Sequence, residues 1–205
     1  MTTHIVIDNF MPISLQNQLG GALMNEAPWH YRDSSSGEDS NTDPNDTNIK
    51  ESPQFVHSIF YDKEGVQSET WNLAKVPLMF LEYYMNNSIR MPQRVKANLL
   101  LQDPLALGKY HAPHVDLANN DSFSMVYYVH DSDGDTVIFD KTVNKGHTNL
   151  KEVARVTPKK GRAVIFNSNR FHASSSPVIE PRRVIINYCF FADPNFLSKK
   201  VDSVA

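Results

Sequence analysis

A single cysteine, Cys189, in 205 residues leaves no route to an internal disulfide, so the fold has to be held by its core, and a reducing, cytoplasmic setting is the expectation. An excess of charge of one sign is also missing. Twenty Lys and Arg stand against 23 Asp and Glu, a net charge of −3 with a pI near 6.2, which gives no electrostatic footprint for nucleic acid or an anionic membrane. No apolar run is long enough to cross a bilayer, and Met1-Thr2-Thr3-His4 has no basic segment leading into an apolar one, so neither a spanning segment nor a secretory leader is expected. Internal repeats are absent too, and nothing marks a boundary, so 1–205 is expected to be one domain with enough chain to bury a core.

What is present changes character along the chain. Ile5-Val6-Ile7 is β-like, and Pro12-Ile13-Ser14 leads into Leu15, Leu19, Leu23 and Met24 at helical spacing, although Gly20-Gly21 weakens a helix there. From Asp33 to Pro53 the chain is rich in Ser, Asp, Asn and Pro, with almost no apolar residue except Ile49. Such a stretch cannot pack a core and reads as a mobile polar loop, either plain disorder or a lid over a site. Phe55 to Tyr61 is extended, and Trp71 to Asn87 carries Leu73, Val76, Met79, Phe80, Tyr83 and Tyr84 as a helical apolar stripe. After Pro92 come short β-rich runs at Val95–Gln102, Ser124–His130, Thr136–Phe139, Glu152–Thr157, Ala163–Asn167 and Arg183–Phe191. Residues 1–92 therefore read as helical support with a polar loop and 93–193 as a β core. The expected fold is mainly β with supporting N-terminal helices, a double-sheet barrel or jelly roll.

The chemistry gathers around Tyr110-His111-Ala112-Pro113-His114-Val115-Asp116. Two residues apart on an extended backbone, His114 and Asp116 aim their side chains at one face. A third ligand is expected far along the chain, followed by a cation, and His172 with Arg182-Arg183 fits. Two neutral imidazoles and a carboxylate that leave the other positions open suit a non-haem Fe(II) oxygenase. Tetrahedral zinc is the chemical competitor, and three unrelated polar residues are the bland alternative.

Further features follow in order: Tyr127-Tyr128, Asp133-Gly134-Asp135-Thr136, Gly161-Arg162-Ala163-Val164-Ile165-Phe166, Phe171-His172-Ala173-Ser174 with Pro177-Val178, and Arg182-Arg183. In this order the sequence resembles the 2-oxoglutarate- and Fe(II)-dependent dioxygenases, in the prolyl-4-hydroxylase-like branch, from Lys96 to Phe191. The resemblance implies a cupin-like double-stranded β-helix in which His114, Asp116 and His172 hold Fe(II). It also implies 2-oxoglutarate as co-substrate, with its distal carboxylate held by a basic residue after the last histidine. Strand alternation separates the two candidates. Arg183, Ile185, Asn187 and Cys189 share one face, and Arg182, Val184, Ile186, Tyr188 and Phe190 the other, more apolar one. Arg183 is the choice, because a polar cavity suits Asn187 and a planar guanidinium can bond both carboxylate oxygens.

The resemblance further implies a tyrosine donating to the same carboxylate, for which Tyr128 falls at the matching position, although as a buried aromatic it reads equally as core. Gln102 and Tyr110 are carried over as residues facing the co-substrate. Two departures stand out: Gly134-Asp135-Thr136 where the family commonly has paired glycines, and Cys189 where several relatives carry tryptophan. The implied reaction consumes dioxygen, releases succinate and CO2 and hydroxylates an unactivated C–H bond of a prolyl or other peptidyl residue or of a small molecule. The retained Asp116 favours hydroxylation over halogenation, and ascorbate is implied as a reductant. A cupin-like metal-binding module without oxygenase activity is the alternative, and a purely structural β-sandwich a third.

Overall fold

The computed structural model describes residues 2–36, 43, 45–86, 89–90 and 92–198. In chain order the elements are β1 (His4–Ile7), α1 (Ile13–Asn25), β2 (His30–Arg32), β3 (Gln54–Tyr61), β4 (Gly65–Val66), α2 (Trp71–Ala74), α3 (Val76–Met85), β5 (Pro92–Leu101), β6 (Ser122–Tyr128), β7 (Thr136–Thr142), β8 (Glu152–Val156), β9 (Ala163–Asn167), β10 (Arg170–Ser174) and β11 (Arg182–Phe191). Asn87, the expected end of the aromatic helix, lies outside the described residues. That helix is two pieces, and Pro77 opens the second, where its missing N–H is harmless.

Two antiparallel sheets face each other. The larger runs β1-β9-β6-β11-β5-β3-β2 with β4 beside β3, and the smaller runs β10-β7-β8. This is the double-stranded β-helix expected. Its two faces follow from alternation along the central strands. Val184, Ile186, Tyr188 and Phe190 of β11, Met125 and Tyr127 of β6, and Val95 and Ala97 of β5 pack with Leu19, Leu23 and Leu81 from the helices. Val126, Tyr128 and Ile185 instead join Ile138, Val156, Val164 and Phe166 between the sheets. Each such buried aliphatic or aromatic side chain is worth roughly 1.5–3 kcal/mol relative to exposure.

The division at residue 92 is not a division of the sheet. β1 pairs with β9 and β3 with β5, so the N-terminal part supplies edge strands as well as helices. Gly20-Gly21 does not interrupt α1, because Gly20 is buried along with Leu19 and Leu23 on its inner face. Tertiary packing outweighs an intrinsic cost of about 1 kcal/mol per glycine. Gly161 is a different case. Its φ is 76°, and an added Cβ would run into the Gln16 side-chain amide, so the turn into β9 needs glycine to seat against α1.

Candidate metal centre

His114 follows β5 in an irregular segment that docks on β10. The His114 N–H donates to the His172 carbonyl at 2.9 Å and the His172 N–H to the His114 carbonyl at 3.0 Å, an isolated antiparallel bridge that puts the two rings 4.5 Å apart. Two residues on, the Asp116 N–H donates to the Ser168 carbonyl at 2.9 Å, which turns its carboxylate to the same point. The ligating atoms of His114, Asp116 and His172 all lie within 4.8 Å of one another. His114 Nδ1 faces the Ala112 carbonyl at 3.3 Å and His172 Nδ1 the Arg170 carbonyl at 3.0 Å. Those bonds use the Nδ1–H of each ring, leaving the Nε2 lone pairs free for an ion.

The carboxylate is held from three strands. Asp116 Oδ1 accepts from Arg94 Nη2 at 2.5 Å, and Oδ2 accepts from Ser124 Oγ at 2.6 Å and Asn187 Nδ2 at 3.1 Å. Burial opposes its charge, yet His172, Arg94 and His114 and the Ser124 hydroxyl hold Asp116 well below the usual carboxylate range. Burial, then His172, pushes His114 down to about 3. Near neutral pH the site therefore offers an ionised carboxylate beside a neutral imidazole, the protonation states a cation requires. Burial resists the charge of Arg94, but Cys189 and Asp116 beside it raise its guanidinium above its ordinary value. The Cys189 thiol, pushed up to about 12 by burial and Asp116, accepts from Arg94 Nη2 at 3.2 Å.

Arg183 stands at the other end of the same cavity, which is lined by His114, Asp116, His172, Asn98, Thr136 and Asn187 among others. It is 3% exposed. Its Nε donates to the Gly134 carbonyl at 2.6 Å and its Nη2 to Thr136 Oγ1 at 2.8 Å. The guanidinium lies 5.8 Å from the centroid of the Tyr128 ring. No carboxylate lies within ion-pair distance of it among the described residues. Gly134 has to be small, because a Cβ there would come 2.6 Å from the Ser175 carbonyl and 3.0 Å from Arg183 Cδ. Asp133 accepts from the N–H groups of Val178, Ile179 and Glu180 at 2.8–3.0 Å, which fixes the segment leading into Arg183. Arg182, by contrast, is exposed, as the alternation requires.

Tyr128 is fully buried in the inter-sheet core and reaches the cavity through Thr136. Its hydroxyl donates to Thr136 Oγ1 at 2.7 Å, and Thr136, not Tyr128, lines the space. Gln102 and Tyr110 are placed away from it. Gln102, just past the end of β5, donates to the Val178 and Ile179 carbonyls at 2.8 and 3.1 Å. Tyr110 donates to Asp46 Oδ2 at 2.6 Å and lines a separate cavity with Asp43 and His147. The strand ends at Leu101, so alternation no longer governs where either side chain points.

Two parts of the neighbourhood were not anticipated. Arg94, Lys96 and Asn98 repeat every second residue of β5 and face the cavity side, a pattern open to the same alternation used for β11. The described parts of the polar loop are tied down. Glu51 accepts from Ser34 Oγ at 2.9 Å, from Ser36 Oγ at 2.8 Å and from the Ala112 N–H, and Lys50 N–H donates to the Tyr110 carbonyl at 2.8 Å. Residues 37–42 and 44 lie outside the described residues.

Residues 104–191 match the family model of the 2OG-Fe(II) oxygenase superfamily. Its cofactors are those of the class, Fe(II) and 2-oxoglutarate, and a donor set of two imidazoles and one carboxylate fits the metal. Among curated proteins no sequence match is found. Solved structures similar to the chain include a 2OG-Fe(II) oxygenase family oxidoreductase from Burkholderia pseudomallei, with TM-score 0.65 and 13% identity over 92% of this chain and 85% of that one. A prolyl hydroxylase from Trichoplax adhaerens, in complex with a hypoxia inducible factor peptide fragment, has TM-score 0.57 and 16% identity over 97% and 88%. The epimerase SnoN, in complex with Fe3+, alpha ketoglutarate and nogalamycin RO, has TM-score 0.60 and 10% identity over 99% and 87%. At such identities the likeness defines the fold alone.

Proposed function

We propose that the protein is an Fe(II)- and 2-oxoglutarate-dependent hydroxylase in which His114, Asp116 and His172 hold the iron and Arg183 holds the distal carboxylate of the co-substrate. When bound, the iron and co-substrate supply the oxidising chemistry, with dioxygen consumed and succinate and CO2 released. The chain's own residues orient and screen. Ser124, Asn187 and Arg94 keep the Asp116 carboxylate fixed and ionised. Thr136 Oγ1 accepts from both Arg183 and Tyr128, so its own proton is left to donate to a carboxylate placed against Arg183. Asp116, retained where an open position would serve a halide, supports hydroxylation.

The observation that carries this reading is the uncompensated charge of Arg183 in the cavity of the triad. A buried cation without a carboxylate is costly, and an incoming dicarboxylate is the natural partner. A cupin-like metal module without oxygenase chemistry accounts for the triad but gives Arg183 nothing to bind. The substrate proposed is a prolyl or other peptidyl residue, or a small molecule. Ascorbate as reductant and a reducing cytoplasmic setting, in keeping with the lone buried thiol of Cys189, belong to the same proposal.

The test is anaerobic titration of Fe(II)-loaded protein with 2-oxoglutarate, following the visible metal-to-ligand charge-transfer band. A band in the wild type, absent in His172→Ala and requiring far more co-substrate in Arg183→Ala, is expected. Iron-bound wild type without a band would end the oxygenase reading and leave the metal module.

A further inference from the structure

We propose that a second cavity beside the triad receives a carboxylate of the substrate, with Lys96 and Arg32 as the cations that recognise it. The proposal rests on the oxygenase reading and names the substrate class of that site. This cavity of about 370 Å³ shares its His114–Asp116 wall with the co-substrate cavity but does not reach Arg183. Arg32, Arg94 and Lys96 line it, and Asp116 is its one acidic lining residue among those described. That carboxylate is already taken up by Arg94, Ser124 and Asn187. A protein of net charge −3 thus keeps a net positive chamber directly against its metal ligands, where a complementary anion is drawn in and oriented.

The side chains of Lys96 and Arg32 make no hydrogen bond or ion pair with a described residue, whereas Arg94 is paired with Asp116. Lys96 lines both cavities. In the β5–β11 ladder Lys96 lies opposite Asn187, whereas Arg183 lies opposite Leu100. The two cations are four residues apart along the strands, roughly 13 Å at 3.3 Å per residue. One carboxylate on Arg183 and another on Lys96 therefore occupy separate places. The rest of the wall offers neutral hydroxyls, those of Ser58 and Tyr61, 3.1 Å apart. Its rim is preformed, because Glu51 fixes Ser34 and Ser36 and Gln54 Nε2 donates to the Ser34 and Ser35 carbonyls at 3.1 and 2.9 Å. The forked guanidinium of Arg32 and the compact ammonium of Lys96 suit a carboxylate, which would hold the adjoining carbons of the substrate next to the triad.

The carboxylate can belong to a free amino acid or to a peptide C-terminus, and the experiment separates the two. Protein loaded with Zn(II), which supports no turnover, and saturated with 2-oxoglutarate would be titrated by ligand-observed NMR with acetate, glycine, L-proline and a Gly-Pro-terminated hexapeptide. Acetamide, glycinamide, L-prolinamide and the C-terminally amidated hexapeptide serve as uncharged controls. We expect the carboxylates to bind and their amides not to, with binding at least tenfold weaker in Lys96→Gln and in the surface variant Arg32→Gln, while 2-oxoglutarate affinity stays within twofold. Binding of the amino acids alone assigns a small-molecule substrate, and binding of the free-ended peptide alone a peptide terminus. Carboxylates that bind no better than their amides, or equally well in both variants, overturn the proposal. So does a loss confined to 2-oxoglutarate in Lys96→Gln, since Lys96 would then serve the co-substrate. Failure of wild type to bind 2-oxoglutarate is read separately and counts against the oxygenase reading.

Discussion

Two arginines, Arg94 and Arg183, reach into the cavity face of the larger sheet, and they are not equivalent. Arg94 has a carboxylate in hand, Asp116 at 2.5 Å. Arg183 has only a carbonyl and a hydroxyl, Gly134 and Thr136. The first arginine completes the protein's own charge balance, and the second leaves it incomplete. A buried charge that the fold does not neutralise can be satisfied by a ligand, so on the proposed reading the pair separates what serves Asp116 from what serves the co-substrate.

The sharpest way to break the comparison is to neutralise each arginine in the ligand-free protein. Arg94→Met strands Asp116 and should cost about 3–5 kcal/mol in urea unfolding, whereas Arg183→Met removes an unpaired buried charge and should be neutral or stabilising. Equal losses would show that both are ordinary structural pairs. Next in size is ligand affinity. Arg183→Met should weaken 2-oxoglutarate binding by about 2–5 kcal/mol with metal affinity unchanged, and Arg94→Gln should weaken the metal about 10–100-fold, both read by calorimetry on the Zn(II) form. Thr136→Val is smaller, about 1 kcal/mol off 2-oxoglutarate affinity if its hydroxyl donates to the co-substrate.

The smallest effect appears in mild acid. His111, bonded to the Ser174 and Ser176 hydroxyls at 3.0 Å, is pushed down to about 4, by burial first and with Arg183 also lowering it. Its folded value lies below its unfolded one, so the protein resists protonation that the unfolded chain accepts. Stability is therefore intact above about pH 6.5 and falls as pH drops toward 4, with a loss under about 1 kcal/mol by pH 6. Arg183→Met should shrink that loss; a slope unchanged by the substitution would separate His111 from the Arg183 charge.

How much of this was legible in the sequence depended on periodicity. β11 alternates so regularly that Arg183 could be placed in the cavity and Arg182 outside it from the residues alone. Eight of the eleven strands, β1, β3, β5, β6, β7, β8, β9 and β11, overlap the extended or β-rich runs for the same reason. β2 carries the exposed residues His30, Tyr31 and Arg32 and has no apolar pattern to read. β10 is short and mixed, so His172 was recognisable by its motif but not by its strand. Gln102 and Tyr110 lie beyond the end of β5, where period two stops and hydrogen bonds to Val178 and Asp46 decide their direction. The polar loop looked unable to pack because its anchors are hydrogen bonds to Glu51 rather than apolar contacts, and composition does not count those.

The bridge between His114 and His172 ties both imidazoles to the smaller sheet, while Asp116 is gripped by Arg94, Ser124 and Asn187 of the larger one. An ion held by all three side chains would therefore be a clasp across the mouth of the sandwich, fastening the lips of two sheets that are otherwise joined by side-chain packing and by the bonds of Arg183 and Tyr128 to Thr136. Resilience to heat and readiness for chemistry would then be drawn from the same three bonds, and chelation should loosen the mouth while leaving the helix-backed side shut.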